Sequence, residues 1–171
     1  CSEYLESLRS CFPKSFNYSL TALSTKSGKG VLYGANLMNG QLGSLIPINK
    51  VSVGWNKHRN ILSHTATINS TEVVTESVKD ALKKRNIKSI DFLKIDTQGT
   101  DIELLDEFLR YADVKSGVVE VDVGTHLNGQ RYLTNSNDIN SLFEILAKNS
   151  RIVTRILPNN NNLDELNVFF S

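Results

Sequence analysis

Residues 90–105, Ile90-Asp91-Phe92-Leu93-Lys94-Ile95-Asp96-Thr97-Gln98-Gly99-Thr100-Asp101-Ile102-Glu103-Leu104-Leu105, constrain this chain more than any other stretch. Ile90 to Asp96 is a mostly apolar run, the pattern of a strand buried in a parallel sheet. Thr97-Gln98-Gly99 turns the chain. Thr100-Asp101-Ile102-Glu103 then matches a capping box, with Thr100 as N-cap and Glu103 at the third helical position. Asp101 and Glu103 also suit the positive end of the helix dipole. The helix runs to about Tyr111 and buries Ile102, Leu105, Phe108 and Leu109.

The pattern around this segment alternates. Glu76 to Asn86 is a predicted helix with Val78, Leu82 and Ala81 facing inward. Val118 to Val123 is the next strand, Asp138 to Asn149 a helix, Ile152 to Leu157 a strand and Leu166 to Phe170 a final strand. Helices and strands in alternation argue for an α/β domain with a mainly parallel sheet. Pro158-Asn159-Asn160-Asn161-Asn162 leaves too little chain for a crossover. The last strand is therefore expected to run antiparallel to its neighbour.

The first half of the chain is less regular. Tyr4, Leu5, Leu8, Cys11 and Phe12 form one helical stripe over residues 3–12, and Pro13 ends it. Phe16, Tyr18, Leu20 and Ala22 alternate on one face, which predicts a strand to Ser24. Ser27-Gly28-Lys29-Gly30 reads as a turn and Val31-Leu32-Tyr33 as a short strand. Residues from about 34 to 60 are rich in Gly, Asn and Ser and form an irregular insert or lid. Two strand-like stretches follow, at residues 63–68 and 72–75.

At 171 residues, 40% apolar and 22% charged, this is the composition of one globular domain. No apolar run reaches the 18 or so residues of a membrane span, and no basic-then-apolar leader is visible. The expectation is a cytoplasmic protein. Two cysteines and three scattered histidines give no disulfide framework and no metal-binding spacing, so no metal is expected. With 18 asparagines, the sequons at Asn17 and Asn69 carry no glycosylation reading. The net charge of +1 divides unevenly: residues 1–89 hold 12 basic and 5 acidic side chains, and residues 90–171 hold 7 and 13. The basic excess sits largely around Lys79, Lys83, Lys84, Arg85 and Lys88. That run reads as a solvated helix face, because no aromatics interleave as a nucleic-acid surface requires.

In an open parallel sheet, ligands bind beyond the carboxyl ends of the strands. Asp96 sits at such an end, and Lys94, two residues earlier, points to the same side. Glu120 and Asp122 end the next strand on one face. If the two strands are neighbours, three carboxylates and a lysine converge at one rim. That set suits a cation, or a hydroxyl that must lose a proton. The structural alternative is plain. Asp96 would bond the amides of Gln98 or Gly99, Lys94 and Glu120 would form an ion pair, and Gly99 would permit the tight turn.

The whole segment resembles the K-I-D-x-[EQ]-G-x-[ED] signature of FkbM-type methyltransferases, matched by Lys94, Ile95, Asp96, Gln98, Gly99 and Asp101. Ala22-Leu23-Ser24 followed by Gly28 resembles the family's A-[VL]-S-x-x-x-G stretch. Ala147 to Ile156 and Asn167 to Phe170 resemble its final strands. The resemblance implies a Rossmann-like α/β sheet, mainly parallel with an antiparallel final strand. It also implies methyl transfer from S-adenosylmethionine to a hydroxyl on a sugar or other small metabolite. By the same resemblance Asp96 lies near the transfer centre and the cofactor, Lys94 tunes it, Glu120 is a further catalytic candidate, and Ala22 and Leu23 lie against the adenine. The family's D-x-G-x-x-x-G cofactor turn does not occur in these 171 residues. The expectation is therefore a single partial domain that lacks the N-terminal strands of the sheet. The competing reading is a binding or interaction domain that keeps the fold without the chemistry.

Overall fold

The computed structural model describes residues 17, 19–34, 43–48, 69–123, 137–159 and 162–171. The expected helix at 3–12, the strand positions Phe16 and Tyr18, most of the insert and the stretch 63–68 lie outside the described residues.

The described strands fall into three sheets. β1 (Ala22–Ser24), β2 (Gly28–Tyr33) and β3 (Ser70–Ser77) form one, in the order β1-β3-β2. β3 pairs parallel with β1 and antiparallel with β2. Gly28 and Gly30, expected in a turn, already belong to the β2 ladder, where they face Thr75 and Val73. Leu20 and Thr21 precede β1 rather than extend it, so the strand begins later than its alternation suggests.

Four longer-range strands make the main sheet, β5 (Leu93–Ile95), β7 (Gly117–Asp122), β9 (Asn162–Phe170) and β8 (Val153–Asn159), in that spatial order. β5 and β7 run parallel, while β9 runs antiparallel to both its neighbours, as the short Pro158–Asn162 connection requires. Among the described strands β5, β7 and β8 run the same way and the final strand β9 is reversed, as the sequence leads one to expect.

β4 (Ser89–Ile90) and β6 (Asp113–Val114) pair parallel in a small third sheet. The strand expected over Ile90–Asp96 is therefore interrupted at Asp91-Phe92. Its register survives: Ile90 faces Val114 and Leu93 faces Gly117, the same offset on both sides of the gap. The connection between β6 and β7 meets the chain at this gap. Lys115 Nζ lies 2.5 Å from Asp91 Oδ1, and Ser116 Oγ donates to the Asp91 carbonyl at 2.9 Å.

Among the described residues three helices enclose the core. α1 (Val78–Lys84) is capped by Ser77, whose hydroxyl accepts the Asp80 amide. α2 (Asp101–Tyr111) buries Ile102, Leu104 and Leu105, and α3 (Ile139–Lys148) buries Leu142 and Leu146. Together they close over Leu93, Ile95, Val119, Val121, Val168 and Phe170 in a single core. Phe108 and Leu109 are only partly buried at its margin. The period-two alternation of the strands puts Lys94, Asp96, Glu120 and Asp122 on the opposite face. No helix among the described residues is long and apolar enough to cross a membrane.

Candidate active site

β5 delivers the signature. Leu93 and Ile95 are buried, while Lys94 and Asp96 are exposed on the other side of the strand. Lys94 Nζ lies 3.1 Å from Asp96 Oδ2, and Gln98 Nε2 donates to Asp96 Oδ1 at 3.3 Å. Both oxygens of Asp96 thus take a partner, one cationic and one neutral. The pair stays accessible, with the Lys94 side chain 61% and the Asp96 side chain 39% exposed.

The turn is shaped by two residues with positive φ, Gln98 at 57° and Gly99 at 116°. For a residue with a Cβ the left-handed region costs about 1–2 kcal/mol, so Gln98 needs support from its surroundings. Asp101 supplies much of it. Its carboxylate accepts the Thr97 amide at 2.6 Å and the Gly99 amide at 3.0 Å. Burial pushes the Asp101 carboxyl upward, against the Thr97, Gly99 and Asp101 amides that favour its charged form, and the nearby charge of Asp96 adds to the rise.

Two expectations are corrected here. The Gly99 amide, which the structural alternative gave to Asp96, is held by Asp101. The capping box is also not made: Thr100 occupies the N-cap position but makes no side-chain cap bond, and its hydroxyl lies 2.9 Å from that of Thr97. Asn137 serves the helix instead, with its Oδ1 accepting the Ile102 amide at 3.2 Å. The Asn137 carbonyl also accepts the Asp122 amide at 3.0 Å, and its Nδ2 donates to the Glu120 carbonyl at 3.4 Å. Asn137 thereby ties the start of α2 to the carboxyl end of β7.

β5 and β7 are neighbours, with Lys94 facing Val118 and Ile95 facing Val119. The pairing ends there, and the alternation of the two strands puts Lys94, Asp96, Glu120 and Asp122 on one face at adjacent strand ends. β9 adds Asn167 opposite Glu120 and Glu165 opposite Asp122. Asn159 at the end of β8 donates to Glu120 Oε2 at 2.6 Å and to Glu165 Oε2 at 3.2 Å. Lys94 pairs with Asp96, and Glu120 with Asn159. Ala22 and Leu23 lie apart from this group on β1, in the other sheet, with Leu23 packed against the main core. A cleft of about 430 Å³ lined by Thr25, Glu103, Asp106 and Glu144 opens beside α2 and α3 and includes none of the expected site residues.

The segment 43–48 of the expected insert is held firmly. Ser44 exchanges two backbone hydrogen bonds with Tyr33, at 2.8 and 2.9 Å, and Ile46 and Ile48 are buried. The Ser44 hydroxyl, itself fully buried, donates to the Gln98 carbonyl at 2.7 Å.

The Methyltransferase FkbM domain family model matches residues 21–123, more than half of the chain. The chain belongs to the FkbM methyltransferase family. The matched FkbM region runs from β1 to the end of β7 and so contains Ala22, Leu23, Lys94, Asp96 and Glu120. Asn137 and Asn159, which hold Glu120 and the start of α2, lie beyond it. No curated protein and no solved structure matches the chain. Asp101 was open to discovery from sequence, because Asp near a turn commonly bonds backbone amides. Ser44, Asn137 and Asn159 were not, because each acts on a residue more than 30 positions away.

Proposed function

We propose that the chain methylates a hydroxyl group, on a sugar or another small metabolite, with S-adenosylmethionine as methyl donor. Membership of the FkbM family supports methyl transfer, and the strand-end group of Lys94, Asp96 and Gln98 beside Glu120 supports the site. That group is the observation that carries the reading. It lies outside the carboxyl ends of parallel strands, where α/β sheets bind ligands. A Rossmann-like arrangement fits the main sheet, in which β9 alone reverses direction. Among the described residues β5 stands at the sheet edge, the place where a strand carrying the family's Gly-rich cofactor turn would pair.

The residues present suit such a donor. Bound S-adenosylmethionine supplies a methyl group on a sulfonium, which leaves as a neutral thioether once the acceptor oxygen has taken the methyl. Asp96 is an anion at the strand end, held by Lys94 and Gln98, and can face a cation or accept the hydroxyl proton. Glu120, steadied by Asn159, is the second carboxylate that can take that proton. Ala22 and Leu23 offer apolar surface to the adenine. The displacement is in-line, so positioning dominates the rate. Titration calorimetry of the full chain with S-adenosylhomocysteine, followed by transfer of a labelled methyl group, tests the reading. Saturable binding is expected. Absence of binding by both S-adenosylhomocysteine and S-adenosylmethionine overturns it.

That second outcome would favour a binding domain without catalysis.

A further inference from the structure

We infer that Ser44 is a positioning residue of the signature turn, so that residues 43–48 belong to the active site. The inference deepens the methyltransferase reading and rests on it for its functional meaning.

The peptide unit joining Gln98 and Gly99 is gripped at both ends. Its carbonyl oxygen accepts the Ser44 hydroxyl at 2.7 Å, and its N–H donates to Asp101 Oδ2 at 3.0 Å. These two bonds set the plane of one peptide, and that plane sets where the Gln98 side chain leaves the turn. From there Gln98 Nε2 reaches Asp96 Oδ1. Gln98 holds a left-handed φ of 57°, a conformation that persists only where its surroundings over-determine it. Asp101 comes from the same turn, so it can fix the loop's shape but not its place against the rest of the fold. Ser44 supplies the outside reference.

The hydroxyl is itself oriented. Its oxygen accepts the Ile46 amide at 3.0 Å, which directs its proton to the Gln98 carbonyl. The Ser44 backbone is fixed to Tyr33 at the end of β2. Ile46 and Ile48 are buried, so the segment is anchored by apolar contact on the far side of Ser44. β2 pairs with β3, and β3 with β1, which carries Ala22 and Leu23. The chain of contacts Ala22–β3–β2–Ser44–Gln98–Asp96 therefore joins the residues proposed for the adenine to those proposed for methyl transfer. It does so across two separate sheets.

The test uses the full chain labelled with ¹⁵N, with Ser44→Ala and, as a shape-preserving variant with a weaker donor, Ser44→Cys. Amide hydrogen exchange at Gly99 should speed up about tenfold in Ser44→Ala, the ratio expected for loss of one neutral hydrogen bond, while Leu105 inside α2 keeps its protection. The Gln98 side-chain amide resonance should move toward its position in Asp96→Ala, where its acceptor is gone. A merely structural serine would leave that resonance in place. Ser44→Cys should fall between, and it decides the matter if Ser44→Ala does not fold. Wild-type Gly99 exchange and an unmoved Gln98 resonance in a folded variant would show that Asp101 alone holds the turn and would overturn the inference. Calorimetry with S-adenosylhomocysteine on the wild type is scored separately. Absent binding beside a responsive Gln98 removes the methyltransferase reading and leaves the positioning role of Ser44 standing.

Discussion

Asp101 accepts the amide of Thr97, four residues back along the chain, at 2.6 Å. Its second oxygen takes the Gly99 amide, and the side chain is almost wholly buried. Each carboxylate oxygen takes one amide, and an Asn in the same pose has an oxygen on only one of the two branches. Asp101→Asn keeps the shape but turns an N–H group toward one of them. A buried amide left unsatisfied costs about 1–3 kcal/mol, so the variant should lose stability on that scale in urea denaturation. An Asn variant as stable as the wild type would mean that the turn holds without this clamp.

Asp96→Asn separates site from scaffold. The Lys94–Asp96 pair is exposed, and such pairs are worth about 0–1 kcal/mol, so melting should hardly change. The Asn oxygen can still accept from Gln98. Loss of the charge should nevertheless slow methyl transfer by roughly 10²-fold, the scale of a positioned acid–base group. Unchanged transfer in a folded variant would leave Asp96 as a structural residue.

Asp138 gives a pH signature. It is the N-cap of α3, accepting the Asn140 amide at 2.9 Å and the Ser141 amide at 3.2 Å, with the Ser141 hydroxyl at 2.6 Å. Desolvation pushes its carboxyl upward, but the Ser141 hydroxyl and the Ser141 and Asn140 amides together hold it below its ordinary value of 3.8. A depressed folded value means that the stabilisation is complete above about 3.8 and is lost as pH falls through the folded value. Asp138→Asn, still a competent cap, should flatten the stability profile in that acid window. Asp138→Ala should cost about 1 kcal/mol at neutral pH. Denaturation curves collected from pH 2 to 7, roughly the span of carboxylate titration, check both.

Gly117 has no room for a side chain. A Cβ there would stand 2.6 Å from the Leu93 carbonyl oxygen and 2.7 Å from Phe170 Cζ. The ring could turn away, but the carbonyl belongs to the β5 backbone. Gly117→Ala should therefore cost about 1–3 kcal/mol or more through overpacking, measured by thermal melting. Adding Phe170→Leu should restore only part of it, because the backbone contact remains.

Much of this was legible in the sequence because it depends on neighbours. The apolar stripe of α2, the Asp138 cap of α3 and the antiparallel final strand all follow from residues a few positions apart. Where local rules went astray, a distant group had intervened. Thr100 has the capping-box spacing, yet Asn137 takes the helix terminus from 35 positions away. Ile90 to Asp96 reads as one strand, yet the pairing breaks at Asp91-Phe92, where Lys115 and Ser116 bond Asp91 from 24 and 25 positions away.

The sequence by itself determined an α/β fold, a strand–turn–helix signature with Lys94 and Asp96 at its bend, and the family to which these belong. Those features rest on side-chain periodicity and on short-range turn chemistry, both of which are written in consecutive residues. Only the tertiary structure decided that β5 lies beside β7, that Asn159 steadies Glu120, and that Ser44 reaches Gln98. Each of those depends on which elements pack together. Hydrogen bonds between residues 39 or 54 positions apart form wherever burial of the core brings donor and acceptor within reach, and no local pattern records that.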